Sequence, residues 1–310
     1  MNHRELISAL TPLHGAGEAR AIVRLVLEER FGLSQTDLLL GKDTTLSPND
    51  RAEFEKIAQR LLAGEPVQYV LGCADFCGRR FRVTPDVLIP RPETEDLVAW
   101  ATDELRMLND EYSEPSSTEV LDLCTGSGCI AISLALAFPS AHVTGIDISA
   151  PALAIARDNA KALGASNVDF FEHDILPEDP SPSPRGGREG VLGREGVFSP
   201  PRGELERGLS LLTANPPYVR RSEAAGIHAT VLNHEPSLAL FVSDDDPLIF
   251  YHSIAQIGLR SLRSGAPVLV ELNTALAAET RSLFESFSYA DIEIRDDRFG
   301  RPRMLRAVRR

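Results

Sequence analysis

From Val120 onward, short apolar runs of strand length alternate with longer stretches of helical periodicity, and few architectures accommodate that alternation. Val120 to Leu123, Val143 to Ile148, Val168 to Phe171, Leu211 to Ala214 and Pro267 to Leu272 read as strands, followed by Ile292 to Ile294 and Met304 to Val308. Helices are expected at Ile130 to Ala137, at Pro151 to Leu163 behind a Ser149 cap, at Pro247 to Arg263, and through Leu283. The series predicts an α/β fold with an open, mostly parallel sheet of seven strands. Only Asp296 to Arg303 separates the last two strands. That is too short for a crossover helix, so they should pair antiparallel.

The first 72 residues have a different texture. Glu18 to Phe31 gathers Ala19, Ile22, Val23, Val26 and Leu27 on one face, and Ser47-Pro48-Asn49-Asp50 makes a capped entry into Phe54, Ile57, Ala58, Leu61 and Leu62. We therefore read 1–72 as a small N-terminal helical bundle domain. Residues 73–90 read as a hairpin connector, with extended segments at Phe81 to Val83 and Val87 to Ile89, and 91–310 as the α/β domain. Within the latter, 178–207 is rich in Pro, Gly, Ser, Arg and Glu and repeats Gly-Arg-Glu-Gly-Val at 187 and 193. So short and polar a repeat buries no core and reads as a disordered insertion.

Composition narrows the partners. The 310 residues carry 45 acidic against 32 basic side chains, a net charge of −13, so no general attraction to nucleic-acid phosphates is expected. No apolar run reaches the roughly 18 residues of a membrane span, and Met1 to Gly15 has no apolar core of a leader peptide, so a cytoplasmic protein is expected. Cys73, Cys77, Cys124 and Cys129 do not have Cys-x-x-Cys spacing, and the His residues form no His-Glu-x-x-His pattern. Reduced thiols and no metal site are expected.

Candidate chemistry begins where the first α/β strand ends. Cys124-Thr125-Gly126-Ser127-Gly128 lies between a strand and a helix, where glycines admit a ligand close to the backbone and the helix start offers N–H donors. Such a loop serves a dinucleotide, a nucleoside or nothing. Asp147 ends the next strand, 19 residues beyond Gly128, where a carboxylate accepts from two ribose hydroxyls of either NAD or S-adenosylmethionine. Asp174 is placed to accept from an adenine amino group with Ile175 over the ring, or is an ordinary loop carboxylate.

The fourth strand delivers Asn215-Pro216-Pro217-Tyr218 into a turn. Asn-Pro-Pro is common turn chemistry. It also makes a clamp: the Asn215 side-chain oxygen and the Pro216 carbonyl hold the two N–H groups of a planar amide or amine, with Tyr218 over its face. A dehydrogenase would place a His or Lys there. Methyl transfer needs no metal and little acid–base help, only in-line approach at near-attack distance, which favours S-adenosylmethionine as cofactor with Asn215 beside it.

With these residues the chain resembles the bacterial release-factor glutamine methyltransferases, the HemK-like family of class I S-adenosylmethionine-dependent enzymes. The likeness runs through Gly64-Glu65-Pro66-Val67-Gln68-Tyr69-Val70-Leu71-Gly72, Phe76-x-Gly78, Leu88-Ile89-Pro90-Arg91-Pro92-Glu93-Thr94-Glu95, Asp122 to Gly128, Asp147, Asn215 to Tyr218 and Glu235-Pro236-Ser237-Leu238-Ala239-Leu240. It implies a Rossmann-like methyltransferase sheet and N5 methylation of the glutamine in the Gly-Gly-Gln loop of peptide chain release factors. By the same likeness Asn215, Pro216 and Tyr218 are catalytic, with Pro217 beside them in the substrate site, and the helical domain recognises the release factor. Rival readings are a ribosomal-protein glutamine, N6-adenine in DNA through the same Asn-Pro-Pro-Tyr pocket, or a non-catalytic binding protein. Three positions depart from the family pattern: Cys124 where glycine is usual, Ser210 for an aspartate, and Asn273 for a glycine after Glu271-Leu272.

Overall fold

A computed structural model of the chain describes residues 1–40, 46–111, 118–176 and 208–310. The repeat-bearing stretch 178–207 lies outside the described residues. The chain opens with α1 (His3–Phe31), α2 (Gln35–Leu39), α3 (Pro48–Leu62) and α4 (Val67–Leu71). Each of the first three starts on a side chain that accepts a backbone N–H of its first turn, from Asn2, Ser34 and Ser47 respectively. α1 begins well before Glu18 and kinks at Gly15, whose φ of 78° no helix contains. Leu6, Leu10, Val23, Val26 and Leu27 of α1 close a core with Phe54, Ile57 and Leu61 of α3 and Val70 of α4.

A hairpin follows, β1 (Cys73–Phe76) against β2 (Arg79–Arg82). It lies earlier than expected. Val87 to Ile89 is not a strand, because its backbone polar groups are taken by turns and side chains rather than a ladder. Val87 N–H donates to the Thr84 carbonyl (3.1 Å), Tyr69 Oη donates to the Val87 carbonyl (2.6 Å), and Ile89 N–H donates to Glu235 (3.3 Å).

The remainder runs α5 (Pro92–Glu111), β3 (Glu119–Leu123), α6 (Cys129–Ala137), β4 (His142–Asp147), α7 (Ala150–Leu163), β5 (Val168–Glu172), β6 (Leu211–Ala214), β7 (Val219–Arg220), α8 (Ala229–His234), α9 (Ser237–Leu240), β8 (Phe241–Val242), α10 (Ile249–Ser261), β9 (Pro267–Glu271), α11 (Ala277–Ser286), β10 (Ala290–Asp296) and β11 (Pro302–Val308). Seven of these strands form one sheet in the order β10-β11-β9-β6-β3-β4-β5. β11 alone is antiparallel to its neighbours, as the short β10–β11 connection requires. β3, β6 and β9 are buried along their whole length, the signature of strands covered on both faces. On one face α5, α6 and α7 contribute Leu97, Trp100, Ile130, Leu134 and Leu153 to a core. On the other, α10 and α11 contribute Tyr251, Ile254, Leu283 and Phe284. The sequence gives no sign of β7 pairing with β8, two residues each. That pairing folds 221–240 back as an excursion over the C-terminal edge of the sheet. Among the described residues no helix is long and apolar enough to cross a membrane.

Candidate active site

The glycine loop is built on a buried carboxylate. Asp122 of β3 is wholly inaccessible and accepts from Thr125 Oγ1 (2.6 Å) and Thr213 Oγ1 (2.8 Å), so it ties the loop to the neighbouring strand β6. Burial pushes its carboxyl up to about 7, against the pull of those two hydroxyl donors. A raised carboxyl means that the native chain keeps a proton the unfolded chain has released between about pH 3.8 and 7. Stability therefore falls as pH rises through that window and levels off above it, by up to about 1.4 kcal/mol per unit from this group. Asp122→Asn should flatten this slope, which a series of thermal melts across that window measures.

Beyond Thr125 the chain turns through Gly126 (φ 54°) to Gly128 (φ 79°). Gly126 N–H donates to Asp147 Oδ2 (2.8 Å) and Ser149 N–H to Asp147 Oδ1 (2.9 Å), so the carboxylate at the end of β4 holds the loop open. Gly128 does not line the cavity. A Cβ there would lie 2.9 Å from Ile132 Cδ1 and 3.1 Å from Ala156 Cβ, so this glycine lets α6 and α7 close behind the loop. Cys124 does line the cavity, and at φ 58° it occupies the left-handed region that favours glycine. Burial, and then Asp147, hold its thiol well above the usual range, so it stays protonated. Cys124→Gly exchanges about 1–2 kcal/mol of backbone strain for about 0.5–1 kcal/mol of unfolded-chain entropy. A net gain of about 0.5 kcal/mol is expected in denaturant unfolding.

The Asn-Pro-Pro-Tyr turn is anchored by Glu271, the last residue of β9. Its carboxylate is buried and accepts from Asn215 Nδ2 (3.0 Å), Thr94 Oγ1 (2.7 Å) and Tyr218 Oη (2.8 Å). Asn215 Nδ2 also donates to Thr94 Oγ1 (3.2 Å). Thr94 Oγ1 and Glu271 Oε2 are themselves only 2.7 Å apart, so they share one N–H of the Asn215 amide, and because a carboxylate repels an amide oxygen the assignment of the amide is fixed. The Asn215 oxygen is left as the acceptor on a residue that lines the cavity. Burial raises the Glu271 carboxyl, while Thr94, Tyr218 and Arg303 favour its charge. Arg303 Nη1 approaches Tyr218 Oη at 3.5 Å and the Leu272 carbonyl at 3.4 Å.

Of the turn, Asn215 and Pro217 line the cavity, whereas Pro216 and Tyr218 do not. Tyr218 was expected over the face of a bound group; here its hydroxyl is turned into the Glu271 network. The departure at position 273 has a use: Asn273 Nδ2 donates to the Tyr218 carbonyl (3.0 Å) and to Glu223 (2.9 Å), fixing the exit from the turn. Glu271→Gln presents an N–H edge to donors that need an acceptor and frees the Asn215 amide to rotate. The expected result is a kcat loss of about 10- to 100-fold, near 1–3 kcal/mol, with cofactor affinity little changed. Steady-state kinetics beside calorimetry would read both.

The cavity, of about 240 Å³, joins these two constructions. Cys124, Thr125, Gly126, Ser127, Asp147, Asp174, Ile175 and Asn215, eight of the residues singled out in the sequence, line it together. Asp174 Oδ1 already accepts from the Leu176 N–H (2.9 Å). The opposite wall was not foreseen as part of a site. Pro90, Arg91, Pro236, Leu238 and Ala239 line the cavity as well. They are latched where Arg91 Nη2 donates to Glu235 Oε1 (2.5 Å), a carboxylate whose side chain is 1% exposed. Both segments were conspicuous in the sequence, but no spacing rule joins residues 144 apart.

The lining suits an adenosine sulfonium. Asp147 and Asp174 are acidic acceptors with lone pairs left beyond their backbone bonds, Ile148 and Ile175 offer apolar faces, and the glycine loop offers backbone donors. Among the described residues no group of three or more His, Cys, Asp or Glu side chains is arranged to hold a metal ion. All four cysteines are free.

The PrmC N-terminal domain model matches residues 6–72 and a methyltransferase domain model matches 114–181. A release factor glutamine methyltransferase of Bacteroides thetaiotaomicron is 38% identical over 97% of this chain and 96% of its own length. One of Flavobacterium psychrophilum is 35% identical over 98% and 97%. A solved release factor-specific protein-(glutamine-N5) methyltransferase of Alicyclobacillus acidocaldarius is 27% identical, with a TM-score of 0.41 over 74% of this chain and 99% of that one. The fold and site define a methyltransferase. The chain belongs to the release factor glutamine methyltransferase family.

Proposed function

We propose that this chain transfers a methyl group from S-adenosylmethionine to the side-chain amide nitrogen of the glutamine in the Gly-Gly-Gln loop of peptide chain release factors. The observation that carries this reading is the committed Asn215 amide, whose nitrogen is bound inward to Glu271 and Thr94 and whose oxygen remains to accept. An amide nitrogen is a poor nucleophile because its lone pair is delocalised into its carbonyl. One N–H on the Asn215 oxygen aims the lone pair and stabilises the positive charge that builds on nitrogen as the new bond forms, whereas Pro216, whose carbonyl was the second acceptor expected, is not among the residues that line the cavity. S-adenosylmethionine, when bound, supplies an electrophilic methyl on a positively charged sulfur. The N–C bond forms as the S–C bond breaks, and one amide proton then leaves to solvent. Asp122 and Glu271 serve this chemistry by fixing the loop and the clamp, not by moving that proton.

Cys124, Thr125, Gly126, Ser127, Asp147, Asp174, Ile175 and Asn215 hold the cofactor in this reading, with Asp147 on the ribose hydroxyls and Asp174 and Ile175 at the base. Residues 1–72 then form the substrate-recognition domain, 73–90 the connector and 91–310 the methyltransferase domain. Supporting that arrangement, the helical residues touch the rest of the chain: His228 Nε2 lies 3.3 Å from the Leu13 carbonyl, and Tyr69 Oη bonds the carbonyl of Val87, a connector residue that lines the cavity.

The test is transfer of labelled methyl from S-adenosylmethionine to a purified release factor, beside a factor whose Gly-Gly-Gln glutamine is replaced and a sample of DNA. Label on the first alone is expected. Label on none of them, with cofactor binding intact, would refute the substrate; label on the replaced factor would refute the target residue.

A further inference from the structure

The turn between β10 and β11 presents an aromatic side chain to solvent beside the clamp. Phe299 is 66% exposed, more than any other aromatic residue among the described residues. One exposed Phe is unremarkable by itself. This one is held in place by a built turn. Asp297, nearly buried, accepts at Oδ1 from the Phe299 N–H (2.8 Å) and the Arg301 N–H (3.1 Å). Gly300 N–H donates to the Asp297 carbonyl (2.9 Å), with Gly300 at φ 73°. Arg298 Nη2 donates to the Pro92 carbonyl (2.9 Å), which pins the turn to the start of α5. The Arg301 guanidinium lies over the Phe299 ring at 5.4 Å. So many bonds in five residues fix the backbone, so the ordering cost of burying Phe299 against a partner has largely been met in advance.

Placement gives the turn its meaning. β10 runs parallel to β9, β6 and β3, so the turn leaves the sheet at the edge where β6 delivers Asn215 and β3 the glycine loop. Pro92, which Arg298 holds, stands two residues before Thr94 of the clamp network. Arg303, four residues past Phe299, reaches the Tyr218 hydroxyl. Phe299 therefore stands at the approach to the clamp and not on a remote face. Arg298 and Arg301 are exposed there in a chain whose net charge is −13, although Arg301 and Arg303 also pair with Asp297 at 3.3 and 3.6 Å.

We propose that the Asp297–Gly300 turn is a docking element for the protein substrate. Phe299 enters apolar surface on the folded factor beside its glutamine loop, and Arg298 and Arg301 face acidic groups at the rim. This rests on the reading that a release factor is the substrate. A loop of glycines around the target has no side chains to offer, so the area that holds the factor must come from surface flanking that loop. A rigid aromatic at the mouth is suited to it.

Phe299→Ala and Phe299→Trp, assayed with an intact release factor, test the proposal. For the alanine variant KM for the factor should rise about 10- to 100-fold, the loss typical of truncating an aromatic anchor. Its kcat at saturating factor, its affinity for S-adenosylmethionine and its melting temperature should match the parent, and the tryptophan variant should recover most of the KM. An unchanged KM, or a loss that falls on kcat or on cofactor affinity, overturns the docking role. Failure of the parent itself to methylate any release factor would be a different result, and would overturn the functional reading on which this one rests.

Discussion

Asn215→Ala reduces methyl transfer by at least about 100- to 1,000-fold, the loss that follows from removing one aimed acceptor at a reacting centre. The variant loses the amide oxygen that holds a substrate N–H, while Thr94 and Tyr218 still donate to Glu271, so the buried carboxylate keeps two of its partners. Cofactor affinity should stay within several-fold, because Asn215 forms one edge of a cavity with many other contacts. Asn215→Asp separates orientation from acceptor chemistry. It keeps an oxygen toward the cavity but sets a second one against Glu271 Oε2, where Nδ2 now sits at 3.0 Å. Two carboxylates at that distance, one of them buried, share a proton, and the clamp loses its fixed geometry. Single-turnover rates at saturating cofactor would show this; an alanine variant that turns over near the parent rate would remove Asn215 from the mechanism.

The second large effect is expected at Asp147. Two ribose hydroxyls donating to a carboxylate contribute about 1.5–3 kcal/mol each, so Asp147→Ala should weaken S-adenosylmethionine binding by roughly 100- to 10,000-fold. Part of that loss is indirect, since Gly126 and Ser149 lose the acceptor that holds the glycine loop open. The pH dependence follows from the same residue. Burial raises the Asp147 carboxyl above its ordinary value, against the backbone donors of Ser149 and Gly126. The ionised form accepts from the ribose, so affinity falls as pH drops through that raised value and is constant above it. Asp147→Asn should bind weakly with this dependence gone. Calorimetry over a pH series would check it, and an affinity independent of Asp147 would put the ribose elsewhere.

Much of this was legible in the sequence because strand and helix periodicities are local. The seven strands, the antiparallel last pair and the Ser47 and Ser149 caps follow from runs of adjacent residues. Eight predicted cofactor residues converge on one cavity because each ends or follows a parallel strand, and parallel strands release their ligand loops on one edge. What escaped was long-range. Glu271 and Thr94 are 177 residues apart, and nothing in either neighbourhood announces that they share a hydrogen bond. The Arg91–Glu235 latch is of the same kind. Val87 to Ile89 misled because its apolar, β-branched residues serve a junction with Tyr69 and Ala152 instead of a ladder. Gly128 was expected against the ligand and instead relieves crowding between helices, a distinction that glycine spacing alone does not carry. Cys124 shows the reverse: the left-handed backbone explains why a glycine is the usual residue there.

The most direct measurement is peptide mass spectrometry of a release factor after incubation with this protein and S-adenosylmethionine, with fragmentation that locates the added methyl. One methyl on the side-chain amide nitrogen of the Gly-Gly-Gln glutamine, present with the parent and absent with Asn215→Ala, is the expected result. A methyl on any other atom, or the same modification from the Asn215→Ala variant, would contradict the clamp as the seat of the reaction.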